Sequence, residues 1–163
     1  MKFIIKIDNA LHTIEKCLVI AFVFSMVLLS FLQVTLRLFF HSGIVWMDPL
    51  LRHMVLWSGL LGSAMAARFS RHFALDIAHK IIPEKIKKIV FTTMNLFTAT
   101  ISLFLFWAAM KFLRDESAAE SIAFHIGKTA VNAALAESIL PAVFLLIAFH
   151  FLVNIFRSGE NEA

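Results

Sequence analysis

The 163-residue sequence is short of charge and almost without cysteine: 16% of its residues are Asp, Glu, Lys or Arg, and Cys17 is the one cysteine. A soluble domain carries about a quarter charged residues, so the shortage argues against a surface made for water. A lone cysteine excludes an internal disulfide. Also missing are a Gly-rich phosphate loop, a Cys/His cluster at metal-ligand spacing, and any spacing that argues for a Ser–His–Asp nucleophile. No catalytic residue, cofactor-binding residue or metal ligand is therefore expected. The sequence has no internal repeat and no low-complexity stretch.

What is abundant is apolar, at 60% of residues. A membrane core about 30 Å thick needs roughly 20 helical residues to cross it, and four segments are long enough. They cover about 17–40 (interrupted late by Gln33 and Arg37), 48–67, 86–112 and 132–156. The expected fold is an all-α membrane protein, with four transmembrane helices forming one domain over 1–163. Asp48-Pro49 is a helix start signal, with Asp capping free N–H groups and Pro suited to the first helical position. Asn132 is a candidate cap for the last span, and Pro141 predicts a mild kink within it. The first and third spans exceed a perpendicular crossing, which predicts tilt or extension beyond the bilayer. The first apolar run is too long for a signal peptide, and no small-residue cleavage site follows it.

The segment 70–82, closed by Pro83, is too short to cross. Phe73, Ala74, Ile77, Ala78, Ile81 and Ile82 share one helical face, and His72, Asp76, His79 and Lys80 the other. That pattern predicts a short amphipathic helix lying in the interface; the alternative is an extension of a neighbouring span. Lys and Arg set the orientation. Lys2, Lys6, Lys16, Arg68, Arg71, Lys80, Lys85, Lys87, Lys88 and Arg157 fall on one side, against Arg37, Arg52, Lys111, Arg114 and Lys128 on the other. The richer side is expected to be cytoplasmic, with both termini inside. The formal charge of +4 then reflects topology rather than nucleic-acid binding.

Few residues inside the spans are chemically distinctive. His53 and His150 are the histidines within spans, and a membrane cytochrome would hold haem between two such residues on facing helices. Their expected depths differ, His53 towards the outer end and His150 towards the inner half. In the second span Ser58, Gly62 and Ala66, and likewise Gly59, Ser63 and Ala67, repeat every four residues. Such a small-residue face allows close helix packing, within this chain or on a partner. Arg37, Asp48 and Arg52 gather at the outer ends of the first two spans, with Gln33 one turn from Arg37. Either Asp48 pairs with one of the arginines or the arginines snorkel to the interface. Asn95 and Thr98 to Thr100 are weakly polar and suited to bonding back to their own helix. A carrier places charged or broken-helix sites near the midplane, whereas charges confined to the rims point to a scaffold.

The ordered set Trp46-Met47-Asp48-Pro49-Leu50-Leu51-Arg52, Trp57, Leu61-Gly62-Ser63-Ala64, Ala67-Arg68 and His72-Phe73-Ala74-Leu75-Asp76 resembles the small membrane subunit of tripartite ATP-independent periplasmic (TRAP) transporters. The upstream Gln33-Val34-Thr35-Leu36-Arg37 is similar to that family's first-span ending. Pro49 stands where the family's second acidic residue is usual, and the 113–130 loop lacks the proline-containing pattern of the family. The resemblance implies a bacterial inner-membrane protein that pairs with a large membrane subunit holding the substrate and sodium sites. A periplasmic binding protein would deliver an organic solute, often a carboxylate, and the sodium gradient would drive its uptake. The small subunit would anchor the static scaffold around an elevator motion. Structural and assembly roles then fall to Gln33, Arg37, Trp46, Asp48, Arg52, Trp57, Gly59, Gly62, Ser63, Arg68, His72 and Asp76, with Trp46 and Trp107 in an outer aromatic belt. A haem-binding anchor of a respiratory redox complex is the competing reading. A small homo-oligomeric carrier is the third.

Overall fold

The computed structural model describes residues 2–81 and 83–160, with side chains at 6–69, 83, 86 and 89–155. The chain forms α1 (Lys2–Phe40), α2 (Met47–Ile81), α3 (Glu84–Ala118), β1 (Ile122–Ile126), β2 (Thr129–Asn132), α4 (Ala133–Glu137) and α5 (Ile139–Glu160). α1 begins well before the apolar run, and at 1.5 Å per residue its length is about 58 Å, nearly twice a bilayer core. Among the described residues three helical stretches are long and apolar enough to cross a membrane: Lys6–Phe40, Ile89–Ala118 and Ala133–Ile155. α2 is long too, but it carries Asp48, Arg52 and His53 in its first two turns, which dilutes its apolar character.

The helices pack as a row. α1 lies on α2, α2 on α5 and α5 on α3, while α1 reaches α5 over a short stretch only. The row follows from where small and apolar residues recur. α2 buries Met47, Met54, Leu61, Ala64 and Ala67, spaced as one helical face. Leu61 and Ala64 meet Val143 of α5, with Val19 and Phe22 of α1 and Leu146 and Ile147 of α5 around them. α3 turns Phe91, Asn95, Ala99, Ser102 and Ala109 inward, again a single face. α1 is different: its buried residues, Asp8, Glu15 and Gln33, are all polar. Apart from Val19 and Phe22, most of its large apolar side chains look outward, Phe31 being 71% exposed, as suits a helix in lipid, where burying apolar surface brings no gain over leaving it in hydrocarbon.

Several expectations require correction. The fold is not purely α-helical, because β1 and β2 form an antiparallel hairpin in the 113–130 region. Gly127, with φ +61°, takes the first position of the two-residue turn, where a type II′ hairpin needs positive φ. The 70–82 segment is not a separate helix but an extension of the neighbouring span: α2 runs unbroken through Ile81, as no proline or glycine stands between Gly62 and Pro83 to stop it, and Ile82 lies outside the described residues. Near Pro141 the last span, Ala133–Ile155, is interrupted at the single residue Ser138, which keeps helical backbone angles, in line with the mild kink expected. α4 ends at Glu137, four residues before Pro141, which has no N–H to offer that carbonyl. Asn132 does cap α4, its side chain accepting from Ala134 N–H at 2.8 Å.

Candidate functional site: two polar ties on the first helix

The outer tie is built at the α1–α2 corner. Gln33 is buried and its amide clasps the backbone of Ile44, accepting from the N–H at 3.2 Å and donating to the carbonyl at 3.1 Å. Its Nε2 also lies 3.4 Å from Asp48 Oδ1. Arg37 donates from Nη2 to Asp48 Oδ2. Gly43 leaves the tie room: an added Cβ would sit 3.2 Å from Arg37 Nε and 3.4 Å from Gln33 Nε2, and those side chains would have to give by a few tenths of an ångström. The ambiguity over Asp48 is thereby resolved. Its carboxylate crosses to α1 rather than capping α2, and its partner is Arg37. Arg52 is exposed and makes no ion pair among the described residues.

Around the tie, Trp46 is half-buried, and Trp57 donates from Nε1 to the Ala136 carbonyl at 2.7 Å, fastening α2 to α4. The Trp57 ring lies 5.4 Å from Phe22 and 6.2 Å from His53. Replacing Trp57 with Phe keeps most of the ring packing and removes the hydrogen bond. The expected loss is about 1 kcal/mol, measured by denaturant unfolding of the full chain in mild detergent.

Of the small-residue stripe, Ala67 is buried inside this chain and Ser58 half-buried, while the rest of the face is largely open. Gly59, Ser63 and Ala66 are exposed, Gly62 is half-buried, and a Cβ at Gly59 or Gly62 would meet nothing within 4 Å. The inward face of α2 is instead the one through Leu61, Ala64 and Ala67. Gly62→Ala is therefore expected to leave the isolated chain intact or stabilise it by roughly 0.5–1 kcal/mol through helix propensity. The same unfolding measurement checks it.

The inner tie was not foreseen. His150 of α5 is completely buried, with Nδ1 2.8 Å from Asp8 Oδ1 and Nε2 2.9 Å from Glu15 Oε1. Arg68 closes the set from α2: its Nε lies 3.3 Å from Asp8 Oδ2, and its Nη1 donates to the Asp8 carbonyl at 3.1 Å. Its Nη2 donates to Asn9 Oδ1. Asn154, one turn beyond His150, donates to the Ala67 carbonyl at 3.2 Å. Of the residues named from sequence, Arg68 and His150 belong here, and His150 is a polar residue hydrogen-bonded within the bundle. The side chains of His72 and Asp76 lie outside the described residues. A signal for the rest existed: Asp8, His12 and Glu15 fall four and three residues apart, a polar stripe on one face of a helix.

Neither histidine supports the haem reading. Both His150 nitrogens face carboxylates, and His53 donates from Nδ1 to the Pro49 carbonyl at 2.9 Å in a different cluster, against Phe124. In α3 the polar residues serve their own helix as expected: Asn95 donates to Phe91, Thr98 to Met94 and Thr100 to Leu96, at 2.7 to 2.9 Å.

Comparison with known proteins settles the affiliation. Residues 26–160 match the family model for tripartite ATP-independent periplasmic transporters, DctQ component. The chain belongs to this family. It is 29% identical over 134 residues to a sialic acid TRAP transporter permease protein, SiaT, of Haemophilus influenzae. That match takes 79% of this chain but 21% of the relative, so the chain spans about one fifth of that protein's length. A protein of another Haemophilus influenzae strain, assigned as a TRAP transporter small permease, is 25% identical over 153 residues, covering 94% of this chain and 86% of its own. The DctQ chain is accordingly a small permease subunit of a bacterial inner-membrane transporter, a family of transporters and not of enzymes.

Proposed function

We propose that this DctQ chain is the static scaffold subunit of a sodium-driven, binding-protein-dependent transporter for an organic solute, most naturally a carboxylate. The observation that carries this reading is the fastening of α1 at both ends. Gln33 and Arg37 hold its outer part to the α2 corner, Asp8 and Glu15 hold its inner part to α2 and α5, and the apolar side chains between them look outward. A helix pinned twice resists displacement, and an outward apolar wall suits lipid or a partner's helices. The sialic acid relative, in which a matching stretch is one fifth of a longer permease chain, supports a large partner subunit close by.

In this reading α2 is a fourth span, 1–163 is one domain, both termini are cytoplasmic, and Trp46 and Trp107 mark the outer interface. The large subunit carries the solute and sodium sites, a periplasmic binding protein delivers the solute, and this chain binds no cofactor. Arg52, Gly59, Gly62 and Ser63, which this chain leaves uncovered, are the candidates for contact with the large subunit. His72 and Asp76 are assigned assembly roles on the sequence resemblance alone.

The test is uptake and co-purification. A large membrane subunit is expected to co-purify with this chain in mild detergent, and uptake driven by an imposed sodium gradient is expected to disappear when this chain is deleted. Undiminished uptake without it would overturn the proposal, as would sodium-driven flux from this chain reconstituted alone. Labelling that put residues 68–88 and the two ends on opposite sides would remove the four-span topology.

A further inference from the structure

We propose that Glu137 is an anchor for a cationic side chain, a lysine or an arginine, of the large membrane subunit. This rests on the reading of the chain as a small subunit beside a large one, and adds the place and the chemistry of one contact. The acids of the helical row are unevenly served. Asp8 and Glu15 meet Arg68 and His150 in the inner junction, and Asp48 meets Arg37. Glu137 is half-buried, its Oε2 is buried without a hydrogen-bond partner, and among the described residues its side chain makes no ion pair.

Depth turns this into a demand for a partner. The Ala136 carbonyl, next to Glu137, accepts from Trp57 Nε1 at 2.7 Å, and the Trp57 ring lies 5.4 Å from Phe22. Trp57 stands nine residues past Asp48 in α2, and Phe22 eleven before Gln33 in α1. At 1.5 Å per residue these are about 14 Å and about 17 Å below the outer corner, near the middle of a core about 30 Å thick. Above this level Phe124 of the hairpin packs on His53, and α4 touches both strands. Ala133 and Pro141, one turn to either side of Glu137, are buried. Ionisable side chains inside spans are expensive and are found paired or facing a cavity, and lipid tails offer Glu137 no donor.

The chemistry selects a cation with several N–H groups. Pro141 has no N–H for the Glu137 carbonyl, so one residue presents a carboxylate and a main-chain acceptor that lacks its helical donor. A neutral hydroxyl or amide would satisfy a lone pair and leave the charge uncompensated. An ammonium brings three donors and a guanidinium five, each with a positive charge. Arg52, Lys111, Arg114 and Lys128 of this chain are exposed and make no ion pair with Glu137. The short helix is also within reach of a partner: Leu135, two residues before Glu137, is 71% exposed, and Ser138 is exposed as well.

The experiment compares complexes of the full chain with its large subunit in mild detergent. Retention of the large subunit on the tagged small subunit through serial dilution reads the affinity. Glu137→Gln keeps the shape and is expected to weaken the complex about tenfold or more, as when one partner of a buried charge pair is removed. Glu137→Lys is expected to weaken it further. The isolated Glu137→Gln chain is expected to unfold at the wild-type denaturant midpoint or above it. A benzophenone amino acid in place of Leu135, with Glu137 intact, is expected to form a photo-adduct with the large subunit. That arm decides the matter even where a Glu137 variant misfolds, and adducts with lipid alone would overturn the proposal. Wild-type retention by Glu137→Gln would overturn it too and leave the parent reading standing. So would a destabilised isolated Glu137→Gln chain, which would place the partner within this chain. If the wild-type chain recovers no large subunit, the parent reading falls and this contact with it.

Discussion

Replacing His150 with Leu is expected to destabilise the chain by roughly 3–5 kcal/mol, the usual consequence of removing one partner from a buried ionic set. The substitution is nearly volume-conserving, so packing contributes little to the loss. The dominant effect is electrostatic: Asp8 and Glu15 remain enclosed with Arg68 as their cation, and one carboxylate is left without a donor. Unfolding of the full chain in mild detergent, followed by circular dichroism against denaturant, measures it. A second substitution separates charge from shape. Glu15→Gln in the His150→Leu background removes the charge of the acid that lost its donor and is expected to recover part of the loss, so the two changes are strongly non-additive in a double-mutant cycle. A loss under about 1 kcal/mol for His150→Leu, in the range of an exposed ion pair, would mean that water reaches the junction.

At the other end of α1 the ranking of residues runs against intuition. Gln33→Leu is expected to cost about 1–3 kcal/mol, because in a part-buried corner it strips the partner from the Ile44 N–H and takes one of two donors from the Ile44 carbonyl, which keeps the Met47 N–H. Asp48→Ala removes a formal ion pair, yet the Asp48 and Arg37 side chains are 41% and 57% exposed. Exposed pairs contribute about 0–1 kcal/mol, and an arginine near a helix end can turn to the interface. The neutral amide is therefore expected to matter more than the charged pair. Parallel unfolding curves of the two variants decide it; an Asp48→Ala loss equal to or larger than that of Gln33→Leu would show that the corner is held by charge.

Much of this was legible before the structure. The family resemblance rested on Trp46 to Asp76 and is supported by the match over residues 26–160. The Asn132 cap and the back-bonded polar residues of α3 follow from local chemistry and are present. The hairpin was missed because its signal is brief: a Gly-Lys turn between two short strands, one of them 4 residues long. Which members of the small-residue stripe turn inward, as Ala67 does, and which stay open, as Gly59 and Ser63 do, is a property of the row of helices. Arg68 was singled out for the resemblance, without its partners Asp8 and Asn9 some 60 residues earlier in the chain.

Local rules thus determined what each stretch of this protein is: apolar runs long enough for lipid, a proline just after a one-residue interruption of a helix, an amide that caps one. Those rules act over a few residues, so a sequence read alone suffices for them. The tertiary structure decided which polar groups meet. Asp8 and His150 are separated by 142 positions, and nothing in either segment specifies the other. Their pairing exists because α1 and α5 both pack on α2, and because a charge kept from water must find its complement wherever the fold has carried it.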